Sequence, residues 1–341
     1  MNIASHILVI SVRAAVLGIS PSPVQGTRTV YLFKVCCPLT GTVDSLTHAL
    51  VMAAIFTAAG LPHLVPFAVL GAVILDTDIF FSLFSDPLPT LYGFTHGGYA
   101  HSITGGIVMT VLAGVGLWMA AMAGLVDRSV FAFFGPIAFA AIFAGVFLHI
   151  GIDTLACPGI PLLAPFSDRK YSVDLLPGPS ISLMIASVSV LLGMVIRWVS
   201  LTVGLTIVAV VVCLYLAVRA GSFLLVMGGR GTGRLVPTIS PLRWMAISET
   251  ADAWTVRHTT LGRSMTDQVV FEKYRNTTPA EVGPYLSLPE VKRLIYHSYI
   301  ITVAKEGDTL VFRDPLRDGG HVPYPPHFKR VVVPVRSVTG T

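Results

Sequence analysis

The chain has 341 residues, of which 53% are hydrophobic and only 12% charged, with a mean hydropathy of +0.75, whereas an ordinary soluble domain carries about 25% charged residues. A soluble globular protein is excluded. The net charge of +5 is uneven: residues 1–43 contribute +3, residues 44–229 contribute −3, and residues 230–341 contribute +5.

This distribution predicts an α-helical polytopic membrane domain over 44–229, a glycine-rich linker over 230–234, and a small α+β soluble domain over 235–341. Residues 1–43 form an N-terminal extension whose apolar stretch Ile7 to Ile19 is interrupted by Arg13. That makes a poor signal peptide. The expectation is a start of translation at Val43, followed by Asp44-Ser45-Leu46-Thr47-His48.

About six hydrophobic helices follow, expected over 46–60, 64–84, 101–126, 131–155, 181–199 and 201–227. The last four each offer the ~20 apolar residues of a bilayer span, and the first is short enough to be tilted or interfacial. Arg169 and Lys170 after the fourth helix, and Arg219, Arg230 and Arg234 around the end of the sixth, place those loops and the C-terminal domain in the cytoplasm, against single arginines at Arg128 and Arg197. The result is a multi-pass protein of the cell membrane. Four cysteines (Cys36, Cys37, Cys157, Cys213) have no CxxC spacing and read as small apolar residues.

Beyond the linker, Trp244 to His258, Ser298 to Val303 and Thr309 to Arg313 read as strands, with Lys305-Glu306-Gly307-Asp308 as a hairpin turn. Pro289 to Tyr296 reads as a short helix. The basic residues of this domain are interspersed with acids, so no nucleic-acid partner is expected. The bilayer is the expected partner.

The informative residues are polar ones inside the apolar domain. All eight acids of 44–229 are Asp, and a carboxylate at mid-membrane costs roughly 2.5–3.5 kcal/mol unless compensated. Asp44 and His48 begin the first helix, Asp76 and Asp78 end the second, His96 and His101 begin the third, and His149 and Asp153 end the fourth. An up-and-down arrangement brings all four pairs to one side of the membrane. His149 and Asp153 share a helix face, while Asp76 and Asp78 are roughly 200° apart on a regular helix. The latter pair can face one centre only where the helix ends or distorts.

Imidazoles and carboxylates together suit zinc first, with manganese or iron as alternatives, and suit calcium or magnesium less. The expected ligands of one or two divalent ions are His48, Asp76, His96, His101, His149 and Asp153. Asp44 or Asp78, where not a ligand, is the expected general base.

Asp44 to His48, Gly71 to Asp78, His96 to Ser102, His149-Ile150-Gly151-Ile152-Asp153 and Leu163 to Arg169 resemble the successive motifs of the YdjM-like family of inner-membrane metal-dependent hydrolases. Ser240 to Trp244 resembles the opening of the soluble domain in its longer members, so the resemblance covers about 43–341. It implies hydrolysis of a phosphoester or ester of a lipid or other membrane-associated molecule. Two departures stand out: Leu75 precedes Asp76 where the family commonly has Pro, and Gly97 follows His96 where it commonly has Arg. The missing guanidinium would suit a phosphate. Arg169 or Lys170 on the same side is the expected substitute for substrate binding. The alternative function is a metal transporter or sensor, which would carry its ligands nearer the bilayer midplane.

Overall fold

The computed structural model describes residues 39–126, 134–228, 233–260, 263–322, 325 and 328–335, with side chains from Ser45 onward except those of 263–267. Residues 1–38, Arg128 and Arg230 lie outside the described residues, as does most of the expected linker.

Helix α1 spans Leu39–Ala58, beginning well before residue 46. The next apolar segment, Pro62–Ser85, is composite: a 3-10 turn leads into α2 (Val65–Ile74), then a 3-10 stretch (Leu75–Phe81), then α3 (Ser82–Ser85). Helices α4 (Ile103–Met122), α5 (Pro136–Thr154), α6 (Ile181–Val195) and α7 (Leu201–Gly228) follow. Ser102 caps α4 by accepting from the Gly105 amide at 2.9 Å, and Pro136 opens α5 where its missing N–H leaves nothing unpaired.

Four of these elements are long and apolar enough to cross a membrane: Pro62–Ser85, Ile103–Met122, Pro136–Thr154 and Leu201–Gly228. The expectation that 181–199 is a full-length span is corrected. That helix stops at Val195, because the chain turns back through Arg197 at φ 62° and the amides of Trp198 and Val199 both bond to the Gly193 carbonyl. Large side chains such as Leu112, Met119, Leu214 and Leu224 remain exposed on the outer faces. These are surfaces that a bilayer solvates.

Helices α2 and α5 approach closely because each offers a glycine at the crossing. A Cβ on Gly71 would lie 2.0 Å from the Ile142 carbonyl oxygen, and one on Gly145 would lie 2.1 Å from that of Ala68. Small residues at a helix crossing let backbones meet without a side chain between them. Around this crossing Met52, Phe67, Ala68, Ala72, Ala138 and Ile142 form the buried core.

Two short strands after α5, β1 (Ala156–Cys157) and β2 (Leu176–Pro177), pair in parallel, and the C-terminal part is β-rich. One antiparallel sheet has the order β3 (Arg234–Pro237), β4 (Arg243–Glu249), β5 (Ala253–Thr260), β6 (Arg263–Glu272). Expected strand 244–258 is thus a hairpin, turned at Thr250–Asp252. A second sheet runs β10 (Arg330–Pro334), β9 (Thr309–Arg313), β8 (Thr302–Glu306), β7 (Tyr274–Arg275), the last pair parallel. Gly307 takes φ +58° in the expected β8–β9 turn. Two short helices, α8 (Pro279–Val282) and α9 (Pro289–His297), lie between β7 and β8.

Three arginines dock this part onto the membrane domain. Arg219 of α7, fully buried, donates to the carbonyls of Leu175 (2.9 Å) and Ser240 (3.0 Å) and lies 4.4 Å over the Trp244 ring. Arg234 forms a two-pronged pair with Asp174 at 2.7 and 2.9 Å. Arg293 of α9 donates to the Asp86 carbonyl at 2.8 Å, just beyond α3. The β-rich part therefore sits against the end of the helical domain where the polar residues gather.

Candidate metal centre

The α-helix ends at Ile74, so the carbonyl of Ala72 is among the last four, which have no partner further along an α-helix. The His149 Nδ1–H fills that vacancy, 2.6 Å from the Ala72 oxygen. The 3-10 stretch that follows advances about 120° per residue rather than 100°. It turns the roughly 200° between Asp76 and Asp78 into about 240°, so the shorter arc between them narrows from about 160° to about 120°. Both carboxylates thereby reach the same imidazole: Asp78 Oδ2 lies 2.9 Å from His101 Nδ1, and Asp76 Oδ1 lies 3.6 Å from His101 Nε2.

Asp76, His101 and His149 form one triad able to hold a metal ion, and Asp153 Oδ2 adjoins both of its imidazoles. His101 Nε2 is 3.4 Å and His149 Nε2 3.2 Å from Asp153 Oδ2; His149 Nε2 is 3.5 Å from Asp76 Oδ1; the two imidazole nitrogens are 3.2 Å apart. Ligands about 2.0–2.2 Å from a tetrahedral ion would be separated by about 3.3–3.6 Å. The edges of the Asp76–His101–His149 triad, 3.2–3.6 Å, are of this size.

Each of the four also has its other heteroatom held. Ser45 Oγ donates to Asp76 Oδ2, His48 Nε2 lies 3.3 Å from Asp153 Oδ1, the Ala72 carbonyl lies 2.6 Å from His149 Nδ1, and Asp78 Oδ2 lies 2.9 Å from His101 Nδ1, at ion-pair distance. Such partners fix ring tautomers and carboxylate orientations around metal ions. The two Nε2 atoms thus face each other and two carboxylate oxygens at 3.2–3.6 Å. Such a group of nitrogens and carboxylates needs a cation between them, whether metal or proton.

The remaining predicted residues belong to two further groups that could hold an ion, His48 with His149 and Asp153, and Asp78 with His96 and His101. His48 stacks on His149 with ring centroids 3.9 Å apart. His96 Nδ1 lies 2.8 Å from Asp78 Oδ1, and its side chain, 25% exposed, is the most open of the cluster. Gly97, at φ +71°, also donates its amide to Asp78 Oδ2 at 3.2 Å. Asp78 is fully buried with both oxygens engaged, a placement for orienting rings. Burial disfavours the imidazolium form of His96 and His101, but the Asp78 carboxylate outweighs it and raises both pKa values. The Asp44 side chain lies outside the described residues, although its backbone belongs to α1 with His48.

Arg169 is exposed, 5.5 Å over the Tyr171 ring. Lys170 instead lines a cavity of about 570 Å³ between the two parts of the chain. Between that cavity and the cluster stands Asp168, which accepts from Tyr92 Oη at 2.5 Å and Tyr99 Oη at 2.6 Å. The hydrogen bond to Asp168 pushes the Tyr92 pKa up to about 12, so the phenol remains a donor. Sequence reading missed Ser45, Tyr92, Tyr99 and Asp168. Ser45, Tyr99 and Asp168 adjoin predicted residues or motifs, but nothing local marks Tyr92.

Fold and cluster together define a polytopic membrane protein with a His/Asp cluster of metal-ligand type at one end of its helices. The family model described as YdjM inner membrane protein matches residues 43–223, more than half of the chain, and the chain belongs to that family. The match ends within α7, so the docked β-rich part lies beyond it. No curated protein and no solved structure matches the chain.

Proposed function

We propose that the protein is a membrane-bound, metal-dependent hydrolase acting on an ester or phosphoester presented at the cytoplasmic surface of the inner membrane. The observation that supports this reading is the 3.2 Å approach of His101 Nε2 and His149 Nε2, each also within 3.2–3.6 Å of carboxylate oxygens of Asp76 and Asp153. One divalent ion, zinc foremost with manganese or iron as alternatives, would be held by Asp76, His101, His149 and Asp153. Such an ion supplies an activated water and polarises the scissile group.

The protein's own residues do the rest. His48 and Ser45 hold the outward oxygens of Asp153 and Asp76. Asp78 holds His101 and His96, and His96, the most exposed imidazole, is the group placed to take or give a proton at the open side. The soluble part covers this end of the helices, and Arg169, Lys170 and Arg234 support a cytoplasmic placement. Arg219 adds less to that argument, since its guanidinium serves the docking of the two parts. The short helices Ser45–Ala58 and Ile181–Val195 complete a six-helix domain, either spanning at a tilt or partly inserted.

Placement of His96 and His101 just before α4, and of Asp153 in the last turn of α5, favours surface chemistry over transport. The test is elemental analysis of the detergent-purified full chain, combined with hydrolysis of ester and phosphoester substrates with and without chelator. His149→Ala and Asp153→Ala should lose the metal yet still insert into the membrane. Full metal content in either variant overturns the ligand set, and metal flux into vesicles without hydrolysis overturns the enzyme reading.

A further inference from the structure

The cavity between the helical and β-rich parts has walls from both. Lys170 and Tyr92 come from loops of the helical part, and Lys292 and Tyr296 come from α9. At about 570 Å³ it falls in the range of small-ligand sites.

The charges in these walls do not cancel. Three cations (Lys170, Arg234, Lys292) face two carboxylates (Asp168, Asp174). Asp174 is taken by the two-pronged bond with Arg234, and Asp168 by the hydroxyls of Tyr92 and Tyr99. Lys170 and Lys292 are left with no carboxylate within ion-pair distance among the described residues. The Lys170 ammonium lies 4.1 Å over the Tyr296 ring, a contact that compensates only part of its lost hydration. The buried Tyr296 hydroxyl likewise has no hydrogen-bond partner among the described residues.

We infer that this cavity is a binding site for a phosphate group, either free or as the headgroup of a membrane lipid. The chemistry of the free donors selects that class. A planar carboxylate is best met by the fork of a guanidinium, and the fork here is already used by Asp174. Two ammonium groups act as compact point charges, which suit a tetrahedral anion of higher charge. Burial, reinforced by the nearby Arg317, lowers the Lys170 pKa to about 7, and a bound anion would restore the charged form.

The site also has a place beside the proposed chemistry. Asp168 ties the cavity wall to Tyr99, two residues before His101, so a phosphate anchored here would lie next to the His/Asp cluster. Phosphate recognition stands without hydrolysis, and only the fate of the bound ligand rests on the reading above. The inference also gives the β-rich part a task, because Lys292 and Tyr296 belong to it.

The experiment is calorimetric titration of the detergent-purified, chelator-treated full chain with inorganic phosphate and, separately, with a short-chain phosphatidic acid. Binding of either supports the site; binding of phosphatidic acid with no response to inorganic phosphate identifies a lipid headgroup as the source. Lys170→Gln with Lys292→Gln should weaken binding about tenfold or more. Lys305→Gln, a charge change at the far groove lined by Tyr285 and Leu310, should leave it unchanged. No binding of either probe by the wild type, or equal binding by the double variant with an unchanged thermal melt, overturns the inference. If phosphate binds but no ester is hydrolysed, the hydrolase reading fails and this one survives.

Discussion

Asp78 Oδ2 sits 2.9 Å from His101 Nδ1, so a carboxylate buried out of reach of solvent decides which nitrogen of His101 faces the convergent cluster. Replacing it with Asn offers His101 an amide in place of a charged acceptor and removes the oxygen pair that also holds His96 and the Gly97 amide. Asp78→Asn is expected to keep the fold and weaken zinc affinity about 10–100-fold, the usual effect of losing such a partner. Competition with a chromogenic chelator measures it; undiminished affinity would mean that His101 is not oriented through Asp78.

The approach of α2 and α5 sets the separation between Asp76 and His149. Gly145→Ala would place a methyl 2.1 Å from the Ala68 oxygen and 2.8 Å from the Ala72 nitrogen, and rigid backbone cannot yield as a side-chain tip can. Overpacking of this kind costs about 1–3 kcal/mol. The expected outcome is a lower melting temperature in detergent together with reduced metal content. Gly151→Ala, on the same helix with open space at its Cβ, should change the melting temperature little.

The cluster was legible in the sequence because polar residues are expensive inside apolar helices, so each of His48, Asp76, His101, His149 and Asp153 demanded a partner before any geometry was known. The need for a helix distortion at Asp76 and Asp78 was legible too, and the 3-10 stretch supplies it. The division of labour was not. Asp76 reads as a ligand and Asp78 as a general base where not a ligand, and only burial and the direction of its oxygens show Asp78 turned to His96 and His101. Arg219 shows the same limit from another side: as a positive charge near the end of a span it reads as a topology signal, whereas its partners, Leu175 and Ser240, are distant in sequence and offer only backbone carbonyls. No side-chain pattern could have announced them.

Arg219 itself yields a test of the docking. Its guanidinium satisfies the carbonyls of Leu175 and Ser240 and lies over Trp244, whose indole N–H bonds to Ser222 at 3.2 Å. Arg219→Met preserves bulk but leaves those carbonyls unpaired, a loss of about 1.5–3 kcal/mol for each charged hydrogen bond. Amide exchange of Val236 and Met245 in the first two strands of the β-rich part should accelerate. The metal content should change less than in Asp78→Asn, since Arg219 touches no residue of the cluster. Unchanged exchange would show that Arg234 and Arg293 suffice to hold the two parts together.

Lys170 gives a pH-dependent prediction with a definite sign. A pKa of about 7 leaves about half of this amine neutral at pH 7, against less than about 0.1% for an ordinary lysine, so acylating reagents at neutral pH should modify Lys170 ahead of exposed lysines such as Lys292. Its folded pKa lies below the unfolded value, so between about pH 7 and the ordinary lysine range the unfolded chain binds more protons. This group therefore favours folding increasingly as pH rises through that window and opposes it most below pH 7. An anion in the cavity reverses the local balance by favouring the ammonium, and saturating phosphate should accordingly protect Lys170 from acylation. Peptide mapping by mass spectrometry reads both effects. Modification of Lys170 at the rate of Lys292, with or without phosphate, would show that its ammonium is hydrated like any surface lysine.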